Sequence, residues 1–192
     1  PAPPPPRQIE NPNKIAKWTG TCENTRIQFP FEPYACQLDF MSKTLEAVAT
    51  KQTALLESPT GTGKTLCLLT ATLAYSLPRS SELEKPTVVY ASRTHAQLSQ
   101  AVKALRATVY QPKVAVVGSR EHLCGHPRVS KLRGTAQNRA CSALCARRAC
   151  HLRNELDRQQ KASRNADQNG QALDIEELVA DGARRGTCAY YG

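Results

Sequence analysis

The sequence predicts an α/β fold: a parallel sheet with helices on both faces, interrupted late in the chain by a basic, mainly helical insert that carries cysteines. Three observations support this. Short apolar runs at 53–56, 86–91 and 113–118 alternate with helical patterns, as in a parallel sheet with crossover helices. A glycine loop, Glu57-Ser58-Pro59-Thr60-Gly61-Thr62-Gly63-Lys64-Thr65, joins the first run to the next helix. The alternation stops at Ser119, and from Arg120 to Arg164 eleven Lys/Arg face three Asp/Glu, a surplus of eight in a chain of net charge +10.

Taken in order, residues 1–26 read as a flexible leader that begins with a polyproline tail, Pro1 to Arg7. Trp18 and Cys22 lie in it without an assigned role. The leader has no apolar stretch and does not read as a signal peptide. No apolar run in the 192 residues approaches the roughly 20 needed to cross a bilayer. Eight cysteines in such a chain are expected to be reduced, as in the cytosol or nucleus.

Phe29-Pro30-Phe31-Glu32-Pro33-Tyr34 reads as a rigid, aromatic turn. From Tyr34 to Ala49, Leu38, Met41, Leu45 and Val48 recur at helical spacing. Gln37 lies early on that helix, where its amide can both donate to and accept from an adenine edge. The plain alternative is an ordinary exposed glutamine.

Strand, glycine loop, Lys-Thr and helix together form the context of a phosphate-binding loop. Its glycines let backbone N–H groups converge on anionic oxygens, and the N-terminus of the helix adds its dipole. Ser58, Pro59, Thr60, Gly61, Thr62 and Gly63 would cradle the phosphates of ATP. Lys64 would lie against the β- and γ-phosphates, and the Thr65 hydroxyl would ligate Mg²⁺. Ser58 stands where the general pattern has glycine.

The second run ends in Ser92-Arg93-Thr94-His95, at the carboxyl edge of a strand, where parallel sheets bind ligands. Arg93 and Thr94 are expected at a nucleic-acid phosphate, and Thr94 also reads as a helix cap. A helix is expected over 97–108, with Leu98, Val102 and Leu105 on one face. A shorter amphipathic helix follows over 172–182, with Asp174 as its cap.

Five cysteines fall in or after the insert: Cys124, Cys141, Cys145, Cys150 and Cys188. Cys124, Cys141, Cys150 and Cys188 are spread in the way that can wrap a [4Fe–4S] cluster. Only Cys141 and Cys145 have the close spacing of a structural zinc site. Spacing alone leaves cluster, zinc and unligated thiols open, and Cys145 can replace Cys141 because the two sit one helical turn apart. The arginines Arg120, Arg139, Arg147 and Arg148 would favour thiolates and offset a cluster's charge. Cys36 and Cys67 read as small core residues. His122, His126 and His151 read as surface histidines. The basic surplus suggests a polyanion partner, against the alternative of a merely solvated face.

These motifs resemble, in order, those of the iron–sulfur helicases of superfamily 2, related to the xeroderma pigmentosum group D helicase. Phe29 to Gln37 is similar to the family's adenine-reading Q motif. Glu57 to Thr65 is similar to its motif I, in which serine at the position of Ser58 is usual. Tyr90-Ala91-Ser92-Arg93-Thr94-His95-Ala96-Gln97-Leu98 is similar to its motif Ia. Gly118 to Cys124, then Asp174 to Val179 and Cys188 to Tyr191, resemble the entry and exit of its iron–sulfur domain, with Ala189 where the family usually has proline. The resemblance covers roughly residues 27–191.

The resemblance implies a RecA-like motor domain over 27–119 and an iron–sulfur domain over 120–190. It implies an ATP-dependent, 5′-to-3′ DNA helicase of the nucleus, using ATP, Mg²⁺ and a [4Fe–4S] cluster. Its partners would be single-stranded and forked DNA, touched by Arg93, Thr94 and Arg120, and a second motor domain. The family's Asp-Glu-Ala-His box is not in these residues, so the chain is expected to be the N-terminal part of a helicase that binds nucleotide without turning it over. A zinc-bearing nucleic-acid module with a structural P-loop, and a small P-loop kinase, are the alternatives from other classes.

Overall fold

The computed structural model describes residues 16–77, 86–162 and 172–192. The polyproline call therefore lies outside the described residues. The chain divides into two compact units, Pro1–Lys113 and Val114–Gly192.

The first unit opens with an antiparallel hairpin, β1 (Trp18–Cys22) and β2 (Thr25–Phe29), in register from Trp18 opposite Phe29 to Cys22 opposite Thr25. Residues 18–26, expected in a flexible leader, are thus ordered. Glu23 and Asn24 turn the chain with positive φ of 44° and 57°, the left-handed pair that suits the twist of a two-residue hairpin. The alternation in β2 turns Thr25, Ile27 and Phe29 inward. Phe31 meets Phe29 edge to face, with ring centroids 4.9 Å apart.

Helix α1 (Ala35–Ala49) starts one residue after the expected position, because Tyr34 is the extended cap residue. Helices α2 (Lys64–Ser76) and α3 (His95–Ala107) lie where the 3.6-residue pattern places helices. Ile27, Phe29, Met41 and Leu45 are fully buried with Cys67, Ala71, Leu73, Ala74, Val109 and Tyr110. Each large side chain among them contributes about 2 kcal/mol of transfer free energy. The Tyr110 hydroxyl accepts from the Gln28 amide at 3.0 Å, so even the hairpin's buried polar group is matched. Cys67 is a core residue, as expected, and burial pushes its thiol up to about 11. Cys36 is not: it faces solvent on α1.

The largest departure from expectation is the sheet. Among the described residues only β1 and β2 are paired. The runs at 53–56, 86–91 and 113–118 carry no strand pairing, and Leu55, Val89 and Val117 are exposed. An apolar run specifies a strand only when another backbone supplies its hydrogen bonds, and none of the described residues pairs with these runs.

The second unit is helical: α4 (Arg120–Leu123), a 3₁₀ turn at Val129–Lys131, α5 (Gly134–Ala146), α6 (His151–Ala162) and α7 (Ile175–Arg185). Leu123, Val129, Leu156 and Ile175 are buried in it. Asp174 caps α7 as its sequence position indicated. Its carboxylate accepts from the Glu177 amide at 2.9 Å, and the Glu177 carboxylate accepts from the Asp174 amide at 2.8 Å, a reciprocal capping box. Arg185 then grips Gln159 Oε1 through Nε and Nη2, at 3.1 and 2.8 Å, tying α7 to α6. The Cys188 amide donates to the Leu152 carbonyl at 3.1 Å, which returns the chain end to α6.

Candidate functional site

In the first unit, the glycine loop closes onto α2 at Gly63, the cap residue, with φ of +77°. Gly61 also has positive φ, +86°. These left-handed positions turn the loop so that its amides lead into a helix N-terminus, as an anion site requires. Lys64 folds back over the loop and donates to the carbonyls of Ser58 at 2.6 Å and Pro59 at 2.8 Å. The hydroxyls of Ser58 and Thr62 lie 2.7 Å apart, and Thr62 donates to the Pro59 carbonyl at 2.9 Å. Thr65 follows as the second residue of α2.

Gln37 is buried and belongs to this loop. Its Oε1 accepts from the Tyr34 amide at 3.0 Å, and its Nε2 donates to the Thr62 carbonyl at 2.9 Å. The exposed-glutamine alternative is therefore wrong. A glutamine amide has two N–H groups and two lone pairs, so one of each lies beyond these two bonds. A Cβ at Gly63 would lie 3.0 Å from Gln37 Nε2. Gly63→Ala is accordingly expected to cost about 1–2 kcal/mol, from the left-handed backbone and the displaced amide. Chemical denaturation monitored by circular dichroism measures it.

Thr94 caps α3, its hydroxyl accepting from the Gln97 amide at 3.3 Å, and Arg93 is exposed beside it. The two are adjacent at the start of α3, so the cap and a phosphate contact are compatible.

In the second unit, Cys124, Cys141, Cys145, Cys150 and Cys188 line one cavity with Arg120, His126, Tyr190 and Tyr191. Four elements bring them together: the end of α4, one face of α5, the α5–α6 turn and the segment after α7. Burial pushes the thiols of Cys124 and Cys188 up; a backbone N–H near His126, and those of Tyr190 and Tyr191, oppose it by hydrogen-bonding the sulfurs. Burial also pushes Cys145 up to about 11, and Cys145 hydrogen-bonds Cys141. No group of three or more His, Cys, Asp or Glu side chains among the described residues is arranged to hold a single metal ion.

Arg120 points inward. Its guanidinium donates to Asn138 Oδ1 at 2.9 Å and the Tyr191 hydroxyl at 3.2 Å, hydrogen-bonds Cys141, and lies 4.2 Å over the Tyr190 ring. Its Nε is buried with no acceptor among the described residues. So the residue expected at DNA is engaged beside the thiols, because two tyrosines give a guanidinium a face and an edge to settle against. His126, expected at the surface, is buried, and its Nδ1 accepts from the amides of Arg128 and Val129. Burial first, then His151 and Arg128, hold its pKa below the ordinary histidine value.

Beside the thiol cavity an open hollow is lined by Arg148, Arg153, Arg158 and Lys161 with Asp157. It shares Cys145 and Tyr191 with the thiol cavity. Arg153 lies 4.3 Å over the Tyr191 ring and pairs with Asp157 at 3.0 Å. The overall charge pointed to this segment but not to this face; the recurrence of basic residues along α6 at 153, 158 and 161 is the signal that marks it.

Residues 90–192 match the protein family described as DEAD_2. The chain is similar to the protein named regulator of telomere elongation helicase 1 homolog from Oryza sativa subsp. japonica, with 39% identity over 206 residues, 86% of this chain and 20% of that protein. It is similar to the protein of the same name from Arabidopsis thaliana, with 41% identity over 86% of this chain and 19% of that protein. It is also similar to regulator of telomere elongation helicase 1 from Homo sapiens, with 37% identity over 86% of this chain and 16% of that protein. The chain thus spans about a fifth or less of the length of these relatives.

Proposed function

From the premise that this chain belongs to the DEAD_2 family, we propose that it is the nucleotide-binding part of an ATP-dependent DNA helicase of the iron–sulfur type, acting in telomere maintenance and DNA repair in the nucleus. The observation that carries the reading is the pairing of Gln37 with the glycine loop at Thr62. It joins an amide suited to an adenine edge to a loop suited to phosphates, the two ends of one nucleotide.

In this reading the runs at 53–56, 86–91 and 113–118 belong to a RecA-like parallel sheet, and residues 27–119 form the first motor domain. Lys64 leaves the Ser58 and Pro59 carbonyls for the β- and γ-phosphates, a charge-assisted contact stronger than the two it gives up. The amides of Thr60 to Gly63 face the phosphates, Thr65 ligates Mg²⁺, and Gln37 offers its further N–H and lone pair to the base. Hydrolysis needs charge from a second motor domain across the nucleotide.

Residues 120–190 form the iron–sulfur domain, with Cys124, Cys141, Cys150 and Cys188 as ligands of a [4Fe–4S] cluster. Thiols from four elements facing one cavity, amide N–H groups directed at two of the sulfurs, and a buried Arg120 Nε without an acceptor all suit an anionic occupant larger than one ion. These cysteines would hold the cluster from the end of α4, α5, the α5–α6 turn and the segment after α7, and so tie those elements together. Arg120 orients Cys141 and closes that side with Tyr190 and Tyr191. The zinc-bearing module is the alternative, and iron with acid-labile sulfide against zinc in the purified protein separates the two.

Arg93 and Thr94 would hold a DNA phosphate, and the hollow of Arg148, Arg158 and Lys161 another stretch of single strand. The resemblance implies 5′-to-3′ travel. The relatives at 37–41% identity support the telomere type, and the Fanconi anaemia group J type is the alternative. Arg148→Ala and Arg158→Ala in the intact protein are each expected to weaken single-stranded DNA equally for all sequences. Each should lower the slope of log affinity against log salt by about 0.7. Fluorescence anisotropy between low and physiological salt reads this, and unchanged slopes would count against the assignment.

A further inference from the structure

His126 lines the thiol cavity and is buried. Its Nδ1 is engaged: it accepts from the amides of Arg128 and Val129, both at 3.3 Å, and the His126 carbonyl accepts from the Ser130 amide at 3.0 Å. Ring and carbonyl together start the 3₁₀ turn at Val129–Lys131. An imidazole nitrogen that accepts carries no proton, so the ring is the neutral tautomer with its proton on Nε2. That N–H has no acceptor among the described residues. His151 lies beside the ring, with centroids 5.7 Å apart, and no hydrogen bond joins the two. A buried donor left without an acceptor costs free energy, and folded proteins keep few of them. Apart from two tyrosine hydroxyls, the side-chain acceptors on the cavity wall are cysteine sulfurs.

We propose that His126 is a hydrogen-bond donor to the group held by the thiols, its Nε2–H bonding a sulfur of the cluster or of a ligating cysteine. This rests on the cluster reading above and adds a residue that touches the cofactor without ligating it. A hydrogen bond to sulfur spreads the cluster's negative charge and so favours its reduced, more negative state. His126 therefore raises the reduction potential, while Nδ1 fixes the ring through the backbone of the next turn. The two nitrogens have separate tasks, and two substitutions tell them apart. In His126→Asn the amide oxygen can take the place of Nδ1 and keep the bonds to the turn, but nothing reaches the place of Nε2. In His126→Gln the longer amide can bring an N–H toward the place of Nε2, and the bonds to the turn are lost.

Redox titration of anaerobically prepared intact protein, read by electron paramagnetic resonance of the reduced cluster, tests the proposal. At the midpoint potential of the unaltered protein, His126→Asn is expected to hold about tenfold less reduced relative to oxidised cluster, a fall of about 59 mV for a one-electron couple. His126→Gln should stay within about threefold of the unaltered protein. A histidine that served only to start the turn would give the reverse order. A ratio unchanged in His126→Asn, or shifted equally in both variants, overturns the proposal. A second measurement needs no variant to fold. In unaltered protein labelled with ¹⁵N-histidine, pulsed electron paramagnetic resonance of the reduced cluster is expected to show a weak coupling to a histidine nitrogen, and its absence overturns the proposal. An unaltered protein without iron defeats the cluster reading itself, a different result.

Discussion

Lys64→Ala is expected to weaken Mg-ATP binding by about 1.5–3 kcal/mol, the range for a hydrogen bond to a charged group, or roughly tenfold to a hundredfold. The ammonium already lies over the loop, 2.6 Å from the Ser58 carbonyl and 2.8 Å from that of Pro59. Without nucleotide, its removal costs the loop two contacts to carbonyls that water can replace. With nucleotide, it removes the one mobile cation of the loop from beside the phosphates. The loss should therefore appear in affinity far more than in melting temperature. Isothermal titration with Mg-ATP on both proteins decides it, and equal dissociation constants would remove Lys64 from the site.

The second large effect is expected at Cys150. Serine is close to cysteine in size, and the Cys150 carbonyl keeps its bond from the Asn154 amide at 3.0 Å whatever the side chain. The fold of α6 should thus survive Cys150→Ser. A hydroxyl does not ionise as a thiol does, so the corner it would hold is lost. Iron and sulfide should fall about tenfold or more, as outer contacts alone can account for 10- to 100-fold. Nucleotide affinity should not change, since Cys150 and the glycine loop belong to different units. A variant that keeps its brown colour and iron would show that Cys150 is not a ligand.

The two expectations differ in how directly the sequence announced them. The glycine loop was legible because its chemistry is local: glycines at 61 and 63 supply backbone freedom that no distant contact has to confer. The cap at Asp174 was legible for the same reason, as three residues separate both partners of its capping box. The hairpin at 18–29 was missed, because Glu23 and Asn24 turn the chain without the glycine that usually marks such a turn. Trp18 and Cys22 consequently had no context. The burial of His126 was invisible as well, since it depends on the 3₁₀ turn at Val129–Lys131 folding back over the ring. The inward course of Arg120 depends on Tyr190 and Tyr191, some seventy residues later.

The runs at 53–56, 86–91 and 113–118 fall between these cases. Their composition declares an affinity for a sheet, but pairing is a property of two backbones, and the pattern of one cannot supply the other. Cys36 shows the same limit on a helix: an apolar neighbourhood in sequence places it on α1 without deciding which way it faces.

Leu55 and Val89 bring a practical consequence. Oily side chains on backbone with unspent donors and acceptors are what neighbouring molecules stitch together into aggregates. Concentrated stocks of these 192 residues should cloud on storage, and dilution or a mild solubilising salt should matter more to a crystallographer than any choice of buffer pH.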